Sequence, residues 1–578
     1  MNDERELYGF TWPGKREAIL EAGRPIDKVL RPCVEESENF EATENLYIEG
    51  DNLEAMKILQ RSYMRKVKMI YIDPPYNTGH DFIYSDDFAH DEETAQKDFG
   101  MNDEEGTRNY TMRNYRENTR ANPRYHSDWC SMIYPRLRLA SNLLRDDGVI
   151  FISIDDNEVV NLRKICDEIF DENNFVANLV WKGRSGRHDS KYLEEIHEYI
   201  LCYAKNIDLF SAGGIIQEGG NYPKYDAEKQ RYYKTQLLRK WGSNSRREDR
   251  PNLYYPITAP DGSEIYPMTP NGAGRWRWSR ETMNKALHDR LVEFVKVNDE
   301  WIAYEKVYAP AEGEKREKRF TTWIDDINNG TETLKQLFTT TPFDYSKSPN
   351  LILRLMKIAN LDSDSIVLDF FAGSSTTAHA VMSLNASDSG HRKFIMIQLP
   401  EPCPPSSEAA KAGYSTIAQL GRERIRRASR KLAQDFPLTA GQIDSGFRTL
   451  RVDSPNFRDV FISADDIDSL DLDSLADNLK PDRSPLDLLF MCITDSGLPL
   501  SLTLASENFS GFTILTYGDG EIIACFDSAL TEEVITHIAK QKPQRAIFRD
   551  SAFQDSQTRI NLEQIFRYHS PDSDMQIL

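Results

Sequence analysis

What this sequence has little of is informative first, because each scarcity removes a class of function. Cysteine is sparse and scattered: Cys33, Cys130, Cys166, Cys202, Cys403, Cys492 and Cys525 form no Cys-x-x-Cys, and no histidine pair stands at zinc spacing. An odd, dispersed set argues against a disulfide framework or a structural zinc, and for reduced, mostly buried thiols; no metal is expected. No apolar run approaches the ~18 residues of a membrane span, and Met1-Asn2-Asp3-Glu4-Arg5 lacks the basic-then-apolar order of a secretory signal. The expectation is a cytoplasmic protein without a membrane partner. No Gly-x-x-x-x-Gly-Lys-Ser/Thr phosphate loop occurs, so no Walker-type ATP site is expected. Positive charge is also in deficit: 71 Lys and Arg stand against 92 Asp and Glu, a net charge of -21. Long-range attraction to phosphate follows summed charge, which excludes indiscriminate nucleic-acid binding and requires any DNA contact to be local.

What is present points to α/β architecture. A chain of 578 residues with 39% hydrophobic content fits a soluble globular protein. Domains usually run roughly 100–200 residues, so two to four are expected. Residues 1–44 are polar with few periodic apolar positions and read as an arm or cap rather than a domain. Leu46-Tyr47-Ile48-Glu49-Gly50-Asp51 then gives a short strand and turn, and Leu53, Met56, Ile58 and Leu59 mark the apolar side of a following helix.

Next comes Met69-Ile70-Tyr71-Ile72-Asp73-Pro74-Pro75-Tyr76. Four apolar residues running into Asp-Pro-Pro read as a buried parallel strand that stops where proline cannot donate to the ladder. Asp73 and Tyr76 therefore stand at its carboxyl end, where open α/β sheets place ligands. The rigid tetrapeptide offers two acceptors, the Asp73 carboxylate and the Pro74 carbonyl, to an exocyclic amino group, while Pro75 shapes the turn and Tyr76 gives a flat face for a ring.

Residues 81–125 are charged and irregular, either a lid or DNA-facing loop or a solvated insertion. Trp129, Met132, Ile133, Leu137, Ala140, Leu143 and Leu144 recur at helical spacing, and 149–154 reads as another strand. After Asn206 the alternation dissolves. Arg239, Lys240, Arg246, Arg247 and Arg250 gather near Trp241, and Arg275, Arg277 and Arg280 interleave with Trp276 and Trp278. Basic side chains can contact phosphate and arginine can read guanine edges, so this segment is the candidate for DNA reading; an ordinary solvated surface with core tryptophans is the alternative.

The α/β pattern returns with a helix at 348–360 and the strand Ile366-Val367-Leu368-Asp369, which runs into Phe370-Phe371-Ala372-Gly373-Ser374-Ser375-Thr376-Thr377. A strand, a small-residue turn and a helix start make a cradle whose backbone approaches a ligand closely. A third strand, 393–398, ends near Glu401, at a sensible distance for an acid that accepts ribose hydroxyls. A basic helix at 422–431 leads to an acidic connector, and a small α/β pattern beyond Leu486 reads as a separate unit without visible site chemistry.

Taken together, the Asp-Pro-Pro-Tyr strand and the Asp-Phe-Phe-Ala-Gly-Ser-Ser strand resemble the permuted amino-methyltransferases of DNA, catalytic motif first and cofactor motif last. The fuller stretch from Leu46 to Gly79, Ser127-Asp128-Trp129, Arg392-Lys393-Phe394-Ile395 and the arginine-rich tail resemble the modification subunit of type III restriction-modification systems. The resemblance implies a Rossmann-like, S-adenosylmethionine-dependent methyltransferase sheet with an inserted target-recognition domain and a small C-terminal α/β domain. It implies catalysis by Asp73, Pro74, Pro75 and Tyr76, and a donor pocket of Asp369, Phe370, Phe371, Ala372, Gly373, Ser374 and Thr376, with Asp51 on the donor adenine, Glu401 on the ribose and Lys347 nearby. The implied acceptor is N6 of a flipped adenine. Double-stranded DNA, a second copy of the chain and an ATP-dependent restriction subunit are the implied partners. The expected boundaries are an arm at 1–44, methyltransferase halves at 45–206 and 341–435 around a recognition domain at 207–340, a linker at 436–485 and an assembly domain at 486–578. Where the family's donor loop often has glycine, this chain has Ser375, which would be strained at positive φ. N4-cytosine methylation, a non-catalytic recognition subunit and methylation of a protein amide are the competing readings.

Overall fold

The computed structural model describes residues 9–79, 82–84, 115–183, 193–216, 221–310, 317–327, 330–343, 346–458, 478–553 and 556–578. Two compact units divide the chain, one made of 1–213 with 321–578 and the other of 214–320.

The first unit is built on a ten-stranded sheet. In chain order its strands are β1 (Val29–Pro32), β2 (Leu46–Glu49), β3 (Val67–Ile72), β4 (Leu144–Ile154), β5 (Phe175–Trp181), β6 (Glu198–Ala204), β7 (Trp323–Ile324), β8 (Ile366–Asp369), β9 (Lys393–Gln398) and β10 (Arg448–Asp453). Across the sheet the order is β1-β10-β2-β9-β8-β3-β4-β6-β5-β7. The six strands from β10 to β4 run parallel. Every residue of β3 is buried, as expected of a parallel strand covered on both faces.

The connections decide where a ligand can sit. Helix α1 (Tyr125–Leu143) leads from β3 to its neighbour β4, whereas α2 (Thr376–Asp388) leads from β8 to β9 on the other side. The chain thus winds in opposite directions from the adjacent strands β8 and β3, which are in register through Leu368 and Ile70. Their carboxyl ends therefore mark a topological switch point, the place where open α/β sheets bind ligands. Asp369 and Asp73, far apart in sequence, flank it.

Two sequence expectations are revised. Of the arm or cap expected at the N-terminus, residues 9–44 form a packed cap: Lys15–Gly23 is helical, Trp12 donates from Nε1 to Ser131 Oγ at 2.9 Å, and β1 closes the sheet edge against β10. A few strong anchors, Trp12, Ala18, Leu30 and Phe40, do the burying, which periodicity cannot reveal. The stretch after Leu486 also differs from expectation, for although it forms its own five-stranded sheet, it lies in the same compact unit. Leu488, Leu489, Phe490, Leu515 and Tyr517 join the hydrophobic core of the large sheet. The buried Arg448 guanidinium, at the start of β10, donates to the carbonyls of Phe40, Leu500 and Leu502, tying the segments together.

Six of the seven cysteines are buried, Cys33 is half-buried and all are free thiols. No helix among the described residues is long and apolar enough to cross a membrane. Most of the charged 81–125 stretch and of the acidic connector, 459–477, lies outside the described residues.

The second unit, 214–320, has a four-stranded antiparallel sheet of Lys224–Asp226, Arg231–Leu237, Glu300–Tyr308 and Val292–Val297. Its core centres on Leu238, Tyr255, Ile257, Trp276, Met283 and Ala303.

Candidate active site

At the end of β3, Asp73 keeps its side chain 28% exposed, enough to meet a ligand, while its surroundings are buried and charged. Tyr76 donates its hydroxyl toward Asp73 Oδ1 at 2.9 Å and toward Glu198 Oε2 at 3.0 Å, one proton serving two acceptors. The Lys347 ammonium donates to Tyr76 Oη at 2.7 Å and to Glu198 at 2.5 Å, and stands 3.3 Å from Asp73. It also lies over the rings of Tyr76 and Trp181, at 5.0 and 5.5 Å from their centroids. Burial pushes the Asp73 carboxyl up, with Glu198 adding to the effect and Lys347 opposing it. Burial disfavours the Lys347 ammonium, yet the two carboxylates hold its pKa above the usual lysine range.

The tetrapeptide is clamped from below. Trp129 Nε1 of α1 donates to the Pro75 carbonyl at 2.7 Å, and the Tyr125 hydroxyl donates to the Asn77 carbonyl. Asn77 takes a left-handed φ of 60°, and its amide donates to the fully buried Glu158 at 2.6 Å. These bonds satisfy backbone and side-chain groups that prolines and a tight turn leave without ladder partners.

The small-residue loop leaves β8. Asp369 Oδ1 accepts from the Phe371 amide at 3.1 Å and Oδ2 from the Thr377 hydroxyl at 2.6 Å. Burial pushes this carboxyl up to about 7 despite those bonds, and no cation pairs with it among the described residues. Phe370 and Phe371 stack tilted at 5.4 Å, and Ala372 is buried beside them. Gly373 has φ 50° and donates its amide to Gln398 Oε1 at 2.6 Å. Ser375 has φ 61°, so the serine that replaces the expected glycine does adopt the left-handed region, and it caps α2 without a side-chain bond. That leaves the first-turn amides of α2 without a side-chain acceptor at Ser375, a ready place for an anion.

The hydroxyl-rich run has a specific tether. The Arg424 guanidinium, wholly buried on the helix Ile417–Asp435, donates from Nη1 to Thr376 Oγ1 at 2.6 Å, Ser374 Oγ at 2.7 Å and Ser346 Oγ at 3.0 Å. Burial pushes its pKa down to about 9. The helix is therefore basic in composition without being a solvated basic face: Arg422 is buried as well, paired with Glu49 at 2.7 Å.

The sequence-expected residues distribute unevenly. Lys347, expected beside the donor, places its ammonium among Asp73, Tyr76 and Glu198, while its carbonyl accepts from Thr376 at 3.4 Å. Asp51 caps the helix Asn52–Tyr63 and faces the buried Arg136 at 3.4 Å. Glu401 follows β9, its carbonyl accepting from Ile417 at 2.9 Å. Sequence reasoning missed Glu198, Gln398 and Arg424. Glu198 begins an apolar strand, where an acid is out of place, and that was the available signal.

In the second unit, Arg246, Arg247 and Arg250 are exposed, whereas Arg239, Lys240, Arg275 and Arg277 are half-buried. Arg277 pairs with Glu305 at 3.0 Å, and Arg247 lies over the Tyr254 ring at 4.5 Å. The tryptophans do not act alike: Trp276 is core, its Nε1 donating to the Tyr255 carbonyl at 2.8 Å, while Trp241 is 68% exposed.

Against known proteins, the DNA methylase family matches residues 67–401, over half of the chain. The type III restriction-modification enzyme StyLTI Mod subunit of Salmonella typhimurium is 36% identical over 80% of this chain and 68% of its own length. The EcoPI Mod subunit of Escherichia phage P1 is 36% identical over 74% of this chain and 69% of its own. The chain belongs to the DNA methylases, among the type III modification subunits. The type II methyltransferase M.KpnI of Klebsiella pneumoniae, 32% identical, covers 67% of this chain and 87% of itself. A DNA methyltransferase needs a base site and a methyl-donor site that meet, and the Asp-Pro-Pro-Tyr tetrapeptide and the small-residue loop after Asp369 leave the carboxyl ends of the adjacent parallel strands β3 and β8.

Proposed function

We propose that the chain transfers a methyl group from S-adenosylmethionine to N6 of an adenine flipped out of double-stranded DNA, as the modification and recognition subunit of a type III system. The observation that carries this is the adjacency of the two motifs at the carboxyl ends of neighbouring parallel strands. The donor's chemistry is a methyl group on a positive sulfur that leaves as a neutral thioether. The site's residues fit that molecule. Asp369, a buried carboxyl group with no cation partner among the described residues, suits the donor's ammonium, and the uncapped start of α2 suits its carboxylate. Gly373 gives close backbone approach, and Phe370, Phe371, Ala372, Ser374 and Thr376 shape the wall, with Asp51 and Glu401 at the nucleoside end.

For the acceptor, Asp73 and the Pro74 carbonyl hold the amino hydrogens while the nitrogen lone pair turns toward the methyl carbon. Tyr76 supplies the stacking face, worth ~1–3 kcal/mol against the few kcal/mol of extruding a base. Catalysis is then mostly positioning, an in-line approach of two bound groups. The exposed Arg246, Arg247 and Arg250 with Trp241 support a DNA-reading role for the second unit, to which the half-buried Arg239, Lys240, Arg275 and Arg277 add positive charge. A homodimer, a cytoplasmic location and recruitment of an ATP-dependent restriction subunit belong to the same proposal, argued from family likeness. Light scattering of the full chain tests the dimer. Base analysis after incubation with labelled donor and mixed-sequence DNA tests the chemistry: N6-methyladenine is expected, while N4-methylcytosine or no labelled base overturns it.

A further inference from the structure

Glu198 is buried at the start of β6, and its Oε2 receives two donors, Tyr76 at 3.0 Å and Lys347 at 2.5 Å. The same ammonium is 3.3 Å from Asp73, so two carboxylates compete for one cation and Glu198 holds it more closely. In a buried site this asymmetry matters, because charge–charge energies there exceed those in water and a hydrogen-bonded ion pair consumes acceptor capacity.

Asp73 Oδ1 already faces Tyr76 and Lys347. If Lys347 closed fully on Asp73, the carboxylate would be neutralised and a poor acceptor for an amino group whose nitrogen must gain electron density. Glu198 prevents this by drawing the ammonium toward itself. It also takes one side of the Tyr76 hydroxyl, which fixes the ring that would receive the base.

We propose that Glu198 is a positioning residue of the transfer reaction: by dividing Lys347 with Asp73 and anchoring Tyr76, it keeps the Asp73 carboxylate available to the acceptor amino group. This rests on the methyl-transfer reading of the site. The charged and titratable groups facing Asp73 are Glu198 from β6, Lys347 from the segment before the helix Pro349–Ala359, Tyr71 and Tyr76 from β3 and its loop, and Asp369 from β8. Of these, Glu198 is the carboxylate that shares the lysine.

The sign of the pH effect follows. With Glu198 charged, the Asp73 carboxyl is pushed up; replacing Glu198 by glutamine removes a like charge and releases Lys347 toward Asp73, and both changes favour ionised Asp73. The acidic limb of the kcat profile should move to lower pH while kcat on the plateau falls. Single-turnover kinetics on methylatable DNA, with donor affinity by calorimetry, compare the parent with Glu198→Gln and Glu198→Asp. For Glu198→Gln we expect kcat at least tenfold lower, donor Kd within about threefold and the acidic limb shifted down; Glu198→Asp should recover part of the rate. A plateau rate within twofold of the parent, or an acidic limb that stays put, overturns the proposal. So does a loss of donor affinity that matches the loss of rate, because Glu198 would then support the fold of the donor site. A parent that methylates no DNA overturns the methyl-transfer reading itself, an outcome separate from any variant's behaviour.

Discussion

Lys347→Met is the most demanding test of the charge arrangement around Asp73. The substitution keeps an unbranched side chain of nearly the same length and removes the ammonium that stands 2.5 Å from Glu198 and 3.3 Å from Asp73. Two carboxylates then share a mostly buried site without a counter-charge. Removing one partner of a buried pair typically costs ~3–5 kcal/mol, because the other charge is left uncompensated. Here the penalty has an exit: one carboxyl can bind a proton. Asp73 is already pushed up by burial and by Glu198, and losing the lysine pushes it further. A carboxyl whose folded pKa exceeds its unfolded value destabilises the fold above that unfolded value, and the penalty fades as pH falls through the folded pKa. A variant that loses ~3–5 kcal/mol at about pH 8.5, where both carboxyls are ionised, should therefore lose measurably less at about pH 5.5, where the raised carboxyl takes up its proton more readily. The parent lysine adds no slope of its own there, since its raised pKa keeps that stabilisation fully present below the usual lysine range. Urea midpoints of parent and variant at the two pH values, followed by tryptophan fluorescence, decide the matter. Equal losses at both pH values, or no loss at either, refute the shared-lysine arrangement. Transfer activity should fall with the same substitution.

Asp73→Ala should abolish methyl transfer while leaving donor binding largely intact; turnover within a few-fold of the parent would remove Asp73 from its role. Arg424→Met should weaken donor binding tenfold or more by calorimetry, because Ser374, Thr376 and Ser346 lose their common donor, and unchanged affinity would make Arg424 a packing residue alone. Asp369, with its carboxyl raised from 3.8 to about 7, makes the fold bind protons that the unfolded chain releases, so stability should fall as pH rises across that window. Asp369→Asn should flatten the fall, which thermal melts from pH 4 to pH 8 would read. Joint replacement of Arg246, Arg247 and Arg250 by alanine should weaken DNA binding and reduce the salt slope by up to ~0.9 for each phosphate that is no longer neutralised, whereas an equal slope would mean that these exposed arginines only face solvent.

Much of the catalytic half was legible in the chain because it depends on local chemistry. Four apolar residues before Asp73-Pro74-Pro75-Tyr76 specify a buried strand with a hard stop, and the small residues after Asp369 specify a turn into a helix. Composition and charge also bounded the chemistry without reference to any fold. What the chain could not reveal depends on through-space neighbours. That Asp73 and Asp369 stand at the ends of neighbouring strands follows from β3 and β8 pairing and winding in opposite directions, a property of strand order rather than of either motif. Glu198, Lys347 and Tyr76 come from three separate stretches, so their shared proton and charge exist only once the sheet has formed. The arginines of 422–431 read simply as a basic helix, because sequence records charge and not burial; the fold buries Arg424 against Ser374 and Thr376. The N-terminal segment looked loose for a related reason: a few large anchors and one edge strand leave no periodic trace, and their worth lies in the partners, Ser131 and β10, that the tertiary structure supplies.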